Sequence, residues 1–166
     1  MDNLEDRIDA ALDEEKQKKS ASTTLVELAL EHFSFGVSTM GDTFAIPKQG
    51  PKIVAMLRGA KTSLRGQLSR LYFRRCGRAA PQQALADALL VIEGMAQEGD
   101  EEELYLRVAR HGDDLWLDLG DQTGQAVRIN SAGWEIAAPP VLFKRTALMG
   151  PLPDPVRGGS LDDLWT

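Results

Sequence analysis

The chain has 166 residues, of which 43% are hydrophobic and 27% are charged, a composition typical of a globular protein with an ordinary core. No apolar run approaches the roughly 18 residues that span a bilayer, and the acidic N-terminus lacks the apolar stretch of a secretory signal. We therefore expect a cytoplasmic protein without a membrane partner. The single cysteine, Cys76, excludes an intramolecular disulfide and a multi-cysteine zinc site.

The net charge of −6 conceals a strongly basic segment. No Asp or Glu occurs from Thr43 to Ala86, although the acidic residues outnumber the basic ones in the whole chain. Such segregation creates a local positive field that the total does not reveal. The basic residues of this segment are Lys48, Lys52, Arg58, Lys61, Arg65, Arg70, Arg74, Arg75 and Arg78.

The chain begins with a charged segment, residues 1–21, which predicts a mobile leader; apolar residues at every fourth position leave open a helix that binds a partner. The run "STTLVELALEHF" predicts a helix capped by Ser22 or Thr23. "FGVSTMGDTFAIP" predicts a hairpin that stops at Pro47. The short apolar run "GPKIVAMLRG" is compatible with either a strand or a helix.

Two further helices complete a helical basic subdomain over residues 22–98. The first is capped by Ser63 and ends at Gly77. The second runs from about Pro81 to about Gln97, and because it is apolar over most of its circumference we expect it to be buried.

Residues 99–148 consist of short alternating runs separated by Gly-Asp, Gly-Gln and Ser-Ala-Gly turns. Alternation of this kind predicts an antiparallel meander of about five strands, with one face packed and the other in contact with water. Residues 149–166 are rich in Pro and Gly and predict a linker tail. The predicted fold class is α+β: a helical N-terminal half with a small β-hairpin, followed by the antiparallel meander.

The sequence offers no convincing catalytic or cofactor site. "RGAKTSL" places Lys61 one position too late for a phosphate-binding loop and lacks its first glycine. His111 and four nearby aspartates lack the spacing of a calcium loop, so turn chemistry is the better interpretation. Cys76 is interpreted as a buried, unreactive thiol. We therefore expect no enzymatic activity, no cofactor and no metal.

The stretch "SLRGQLSRLYFRRCGR" is the strongest candidate for a binding site. On a helix Arg70, Arg74 and Arg78 form a stripe at i, i+4 and i+8, away from the apolar side. Basic stripes of this kind contact nucleic-acid phosphates, although they also bind acidic protein segments or simply face water. The residues predicted to contact nucleic acid are Arg65, Arg70, Arg74, Arg75, Arg78, Lys52, Lys61 and Tyr72.

Two further parts of the chain carry a family resemblance: the "YLRVA", "LDLGD" and "GWEI" runs between residues 105 and 136, and the tail "LPDPVRGGSLDDL". With the residues between them they resemble the N-terminal region of actinobacterial and phage-type ATP-binding replication proteins, described as primase-associated helicases. The resemblance covers about residues 23–165. It implies a DNA replication setting with a replication ATPase or primase as partner, but no ATPase motif of that family has a match in this chain.

Two hypotheses of function follow. The first is a non-catalytic accessory domain of a phage- or mobile-element-type replication ATPase, which contacts DNA phosphates through its basic helix. The alternative is a protein-interaction or oligomerisation module, a regulator or inhibitor of a replication complex, that does not bind nucleic acid; it includes the possibility of a homo-oligomer.

Overall fold

The computed structural model describes residues 20–59 and 63–160. The chain divides into two compact units: the first takes in the described residues up to Lys48 together with Ala55–Glu102, and the second takes in Gln49–Val54 and the described residues from Glu103 onward. The leader predicted over residues 1–21 lies almost wholly outside the described residues, as do Lys61 and residues 161–166.

The first unit contains the helices α1 (Ala21–His32), α2 (Leu64–Cys76) and α3 (Gln82–Gln97). Ser20 caps α1, because its side chain accepts a hydrogen bond from the Thr23 amide at 3.1 Å; the helix thus begins slightly before the predicted caps. Gly77 ends α2 as predicted. It adopts the left-handed conformation, with φ of +68°, and its N–H donates to the carbonyl of Phe73.

The sheet of the first unit contains β1 (Phe33–Ser38), β2 (Thr43–Pro47), β3 (Ala55–Met56) and β4 (Glu101–Glu102), in the order β3-β2-β1-β4. The predicted hairpin is present as the antiparallel pair β1 and β2. The run "GPKIVAMLRG", which was compatible with either a strand or a helix, contains the short strand β3, which pairs with β2. β4 lies parallel to β1 on the other edge.

The prediction that α3 is buried over most of its circumference is wrong. Its buried side is a single stripe of Leu85, Ala88, Ile92 and Ala96, which packs with α1 and α2 in one apolar core. The outward side is apolar but lies in water: the exposed fractions are 64% for Leu90, 52% for Val91 and 40% for Met95. Three helices and a narrow sheet offer too little surface to cover α3 on every side.

The second unit contains a four-stranded antiparallel meander: β6 (Val108–His111), β7 (Asp114–Asp118), β8 (Ala126–Asn130) and β9 (Gly133–Ala137), in sequence order. The predicted α+β class, with helices first and an antiparallel meander after them, is confirmed. Two short strands, β5 (Leu104–Tyr105) and β10 (Leu142–Phe143), pair in parallel as a separate ribbon. The last run expected in the meander thus contributes β10 to that ribbon instead.

A small core stabilises the second unit. The buried side chains of Ala109, Trp116 and Ala126 come from three neighbouring strands and pack with Phe143 of β10. Within residues 20–59 and 63–160, no helix has the length and apolar character needed to cross a membrane.

Candidate nucleic-acid interface

The orientation of α2 is set by three apolar side chains at i, i+4 and i+8. Leu64, Leu68 and Tyr72 are at most 1% exposed and belong to the core of the first unit. Because a helix turns about 100° per residue, Arg70, Phe73 and Arg74 point away from these three side chains. The packing of α2 against the core therefore turns the arginines of this helix toward solvent.

All five arginines of the predicted set are exposed. Arg75 donates to the carboxylate of Glu31 on α1 at 2.8 Å, and both side chains are more than half exposed. In the part of the chain that the structure describes, the other four have no ion pair or hydrogen bond. These four, which we call the arginine surface, are Arg65, Arg70 and Arg74 on α2 and Arg78 just beyond its end. The predicted stripe at i, i+4 and i+8 therefore stops at Arg74, because the helix ends at Cys76 and Gly77 is left-handed.

The other basic residues of the acid-free segment do not join this surface. Arg58 is paired with Glu93 at 2.7 Å, and Lys48 donates to the Leu30 carbonyl at 2.7 Å. Lys52 is exposed but belongs to the second unit, and Lys61 lies outside the described residues. Carboxylates from outside the segment therefore neutralise two of its arginines, Arg58 and Arg75.

Tyr72 has to be withdrawn from the predicted contact set. Its side chain is 1% exposed, so no base can stack on it. The adjacent Phe73 is 58% exposed, because one residue further along the helix the side chain points to solvent. The four-residue spacing of Leu64, Leu68 and Tyr72 already carried this information in the sequence.

Small residues surround Phe73 on the outward side of α2. Gly66 lies about two turns before it, and a Cβ built there would meet nothing within 4 Å. Ser69 and Cys76 lie at i−4 and i+3. Cys76 is exposed, contrary to the expectation of a buried thiol, since it ends the helix on the side away from the core. The helical neighbours of Phe73 on this side are therefore small, apart from Arg70 at i−3, whose side chain is long and exposed.

The solvent face of the meander in the second unit is unexpectedly apolar. Cross-strand pairing aligns two rows of side chains on this face, in which Val127 is buried and Leu117 half-buried: Val108, Leu117, Val127 and Ile136, and then Arg110, Leu115, Ile129 and Trp134. The exposed fractions of Val108, Leu115, Ile129 and Ile136 range from 39% to 56%. Arg157 covers one corner, because its guanidinium lies 4.9 Å from the centroid of the Trp134 ring.

Asp114 and Asp121 of the second unit have structural partners. Hydrogen bonds from Asn130 and Arg128 lower the pKa of Asp114. Asp121 accepts from the amide and hydroxyl of Thr123 in a turn, and these bonds lower its pKa as well. Among residues 20–59 and 63–160, no group of three or more His, Cys, Asp or Glu could hold a metal ion.

Comparison with protein-family models, with curated proteins and with solved structures finds no match to this chain.

Proposed function

We propose that α2 binds the phosphates of nucleic acid through the arginine surface. The observation that carries this proposal is the exposure of four guanidinium groups that have no acidic partner among the described residues. An exposed guanidinium offers paired N–H donors that match two phosphate oxygens, and such charge-assisted bonds are stronger than neutral ones. Carboxylates do pair with Arg75 of the same helix and with Arg58 before it, so the lack of an acidic partner among the described residues is selective for these four.

The acidity of the rest of the chain limits binding to this surface. A protein with a net charge of −6 repels phosphate over most of its area, so only a local concentration of positive charge can attract it. No motif that reads base edges is visible in α2, so the contacts would be made mainly to the backbone. The further role, a non-catalytic accessory domain of a DNA replication ATPase, is supported by the sequence resemblance alone.

A salt titration tests the proposal. With four phosphate contacts, the logarithm of the affinity should fall with the logarithm of the salt concentration by a slope of about −3 to −4. The double substitution Arg70→Glu with Arg74→Glu should remove most of the binding. Arg110→Glu, in the second unit, is the matched control for a single Arg74→Glu, since both change the charge equally. Equal losses in these two single variants would count against a specific surface.

A second candidate function, the protein-interaction module, is favoured by the apolar solvent face of the meander. Strands of four or five residues, spaced by ~4.8 Å, make a face of roughly 300 Å². Two copies packed through it would bury roughly 600 Å² in total, about half of what a stable interface requires. The occupant would therefore be a different protein, with an apolar surface and a carboxylate opposite Arg110, the one charged residue in the two rows.

A fluorescent apolar dye, anilinonaphthalene sulfonate, tests whether this face is open. The full chain should be a monomer by light scattering and should bind the dye, and Leu115→Glu with Ile129→Glu should lower dye binding to the part that the exposed apolar side of α3 contributes. A dimer that this double variant dissociates would assign the face to a second copy instead. Absence of dye binding in the unmodified chain would contradict an open face.

A further inference from the structure

We infer that the ligand of α2 is a single strand of nucleic acid, with one base stacked on Phe73. The inference rests on the proposed function, because it adds the class of ligand to the same surface. Phosphate contacts alone cannot distinguish a single strand from a duplex. A ring that accepts an unpaired base can make that distinction.

Phe73 is placed among the arginines rather than apart from them. Along the helix axis Arg70 and Arg74 are about 6 Å apart, and Phe73 lies between them. Around the axis it is about 60° from Arg70, on the same outward side. A strand whose phosphates contact Arg70 and Arg74 would therefore pass directly beside the ring.

The surroundings of Phe73 leave its ring available for stacking. The ring is 58% exposed, and beside Arg70 its helical neighbours on this side are the small residues Gly66, Ser69 and Cys76. A bulky side chain at any of these positions would occupy the space that a base needs, and Gly66 leaves open space where a Cβ would stand. An exposed aromatic ring among unpaired arginines has the composition of a stacking platform in a positively charged groove.

A duplex cannot use this ring without being disrupted. Its bases are already stacked and paired in the interior, so a side chain on the outside of the helix meets only phosphate, sugar or groove edges. A duplex could admit the ring only by unstacking a base step, which costs a few kcal/mol. Binding of a single strand does not require this unstacking of a base step, because the bases of a single strand are accessible.

The test compares three ligands of equal length: a DNA single strand, an RNA single strand and a DNA duplex. Phe73→Ala should weaken binding of the single strands by roughly 5- to 150-fold, the loss expected for one stacked base, and leave the duplex affinity and the salt slopes unchanged. Phe73→Trp should retain single-strand binding. Leu106→Ala is the matched control, since Leu106 is 57% exposed, close to the value for Phe73, and belongs to the second unit. The free energy of unfolding of each variant, measured alongside, separates a loss of contact from a loss of fold.

The only cysteine of the chain provides a second readout. Cys76 is exposed at the end of α2, about one turn from Phe73, so a bound single strand should slow its alkylation by iodoacetamide. Protection by the single strands that exceeds protection by the duplex supports the inference, and a difference between the DNA and RNA strands identifies the preferred sugar. Equal weakening of single strands and duplex by Phe73→Ala, or no weakening at all, overturns it while leaving phosphate binding intact. Failure of every oligonucleotide to bind at low salt overturns the proposed function as well.

Discussion

Asp118 and Arg145 form a two-point ion pair inside the second unit. Nη2 of Arg145 lies 2.7 Å from Oδ1 of Asp118, and Nε lies 3.0 Å from Oδ2. Their side chains are 2% and 11% exposed. Arg145 also donates to the carbonyl of Asp121, and Arg107 donates to the carbonyl of Asp118 at 3.1 Å. The pair therefore joins the end of β7 to the chain that follows β10.

Breaking this pair should destabilise the protein strongly. Arg145→Ala leaves a carboxylate buried without its partner, which costs about 3–5 kcal/mol, and denaturant unfolding should show it. The comparison is Arg75→Ala, which breaks the exposed pair with Glu31 and should cost less than about 1 kcal/mol. Similar losses in the two variants would show that burial does not set the strength of the Asp118 pair.

The sequence could not reveal that pair, although it predicted the strand that carries Asp118. Alternation and turn residues depend on neighbours a few positions apart, and they located the strands of the meander. Asp118 and Arg145 are 27 positions apart, and their contact depends on how β10 leaves the sheet. The same limit explains why Gln49–Val54, between two predicted elements of the helical half, belongs to the second unit.

The error at Tyr72 had a different origin, because local information was sufficient to avoid it. The spacing from Leu64 and Leu68 places Tyr72 toward the core and Phe73 toward solvent. The position of each residue around the helix axis thus predicts that Phe73, and not Tyr72, is the aromatic residue of the candidate site. Whether Arg75 is free could not be predicted, since its partner Glu31 comes from α1 through tertiary packing.

Releasing Arg75 should strengthen nucleic-acid binding. Glu31→Gln removes the carboxylate that holds Arg75, so the affinity for a single strand should rise and its salt slope should steepen by about 0.7, one additional phosphate contact. Stability should change by less than about 1 kcal/mol, because the pair is exposed. Glu135→Gln, which removes one of the two carboxylates that pair with Arg128 in the second unit and makes the same change of charge, should leave the slope as it was.

Two glycines in the helical unit should respond to alanine in opposite directions. Gly94 lies within α3, and a Cβ there would meet nothing within 4 Å, so Gly94→Ala should stabilise the fold by about 0.5–1 kcal/mol. Gly77 has φ of +68°, so Gly77→Ala should cost about 1–2 kcal/mol. Thermal unfolding of the two variants measures both effects. A stabilising Gly77→Ala would show that α2 does not end in a left-handed residue.

Asp114 should make the stability of the protein sensitive to acid. Asn130 donates to its Oδ1 at 3.0 Å and Arg128 to its Oδ2 at 2.8 Å, and these bonds favour the charged form, which lowers the pKa of Asp114. A group whose pKa is lower in the folded state stabilises the fold above its unfolded value, and this contribution disappears as the pH falls through the folded value. Acid should therefore remove the contribution below about pH 3.8, the ordinary value for an aspartate.

The variant Asp114→Asn isolates this contribution from that of the other carboxylates. Its free energy of unfolding should be lower than that of the unmodified chain at neutral pH, because an amide bonds Arg128 more weakly than a carboxylate does. The difference between the two proteins should stay constant from neutral pH down to about pH 5 and then shrink, since protonation of Asp114 gives the unmodified chain a neutral side chain as well. Urea unfolding at a series of pH values measures the difference directly. A difference that stays the same down to acidic pH would mean that the charge of Asp114 contributes nothing to the stability of the fold.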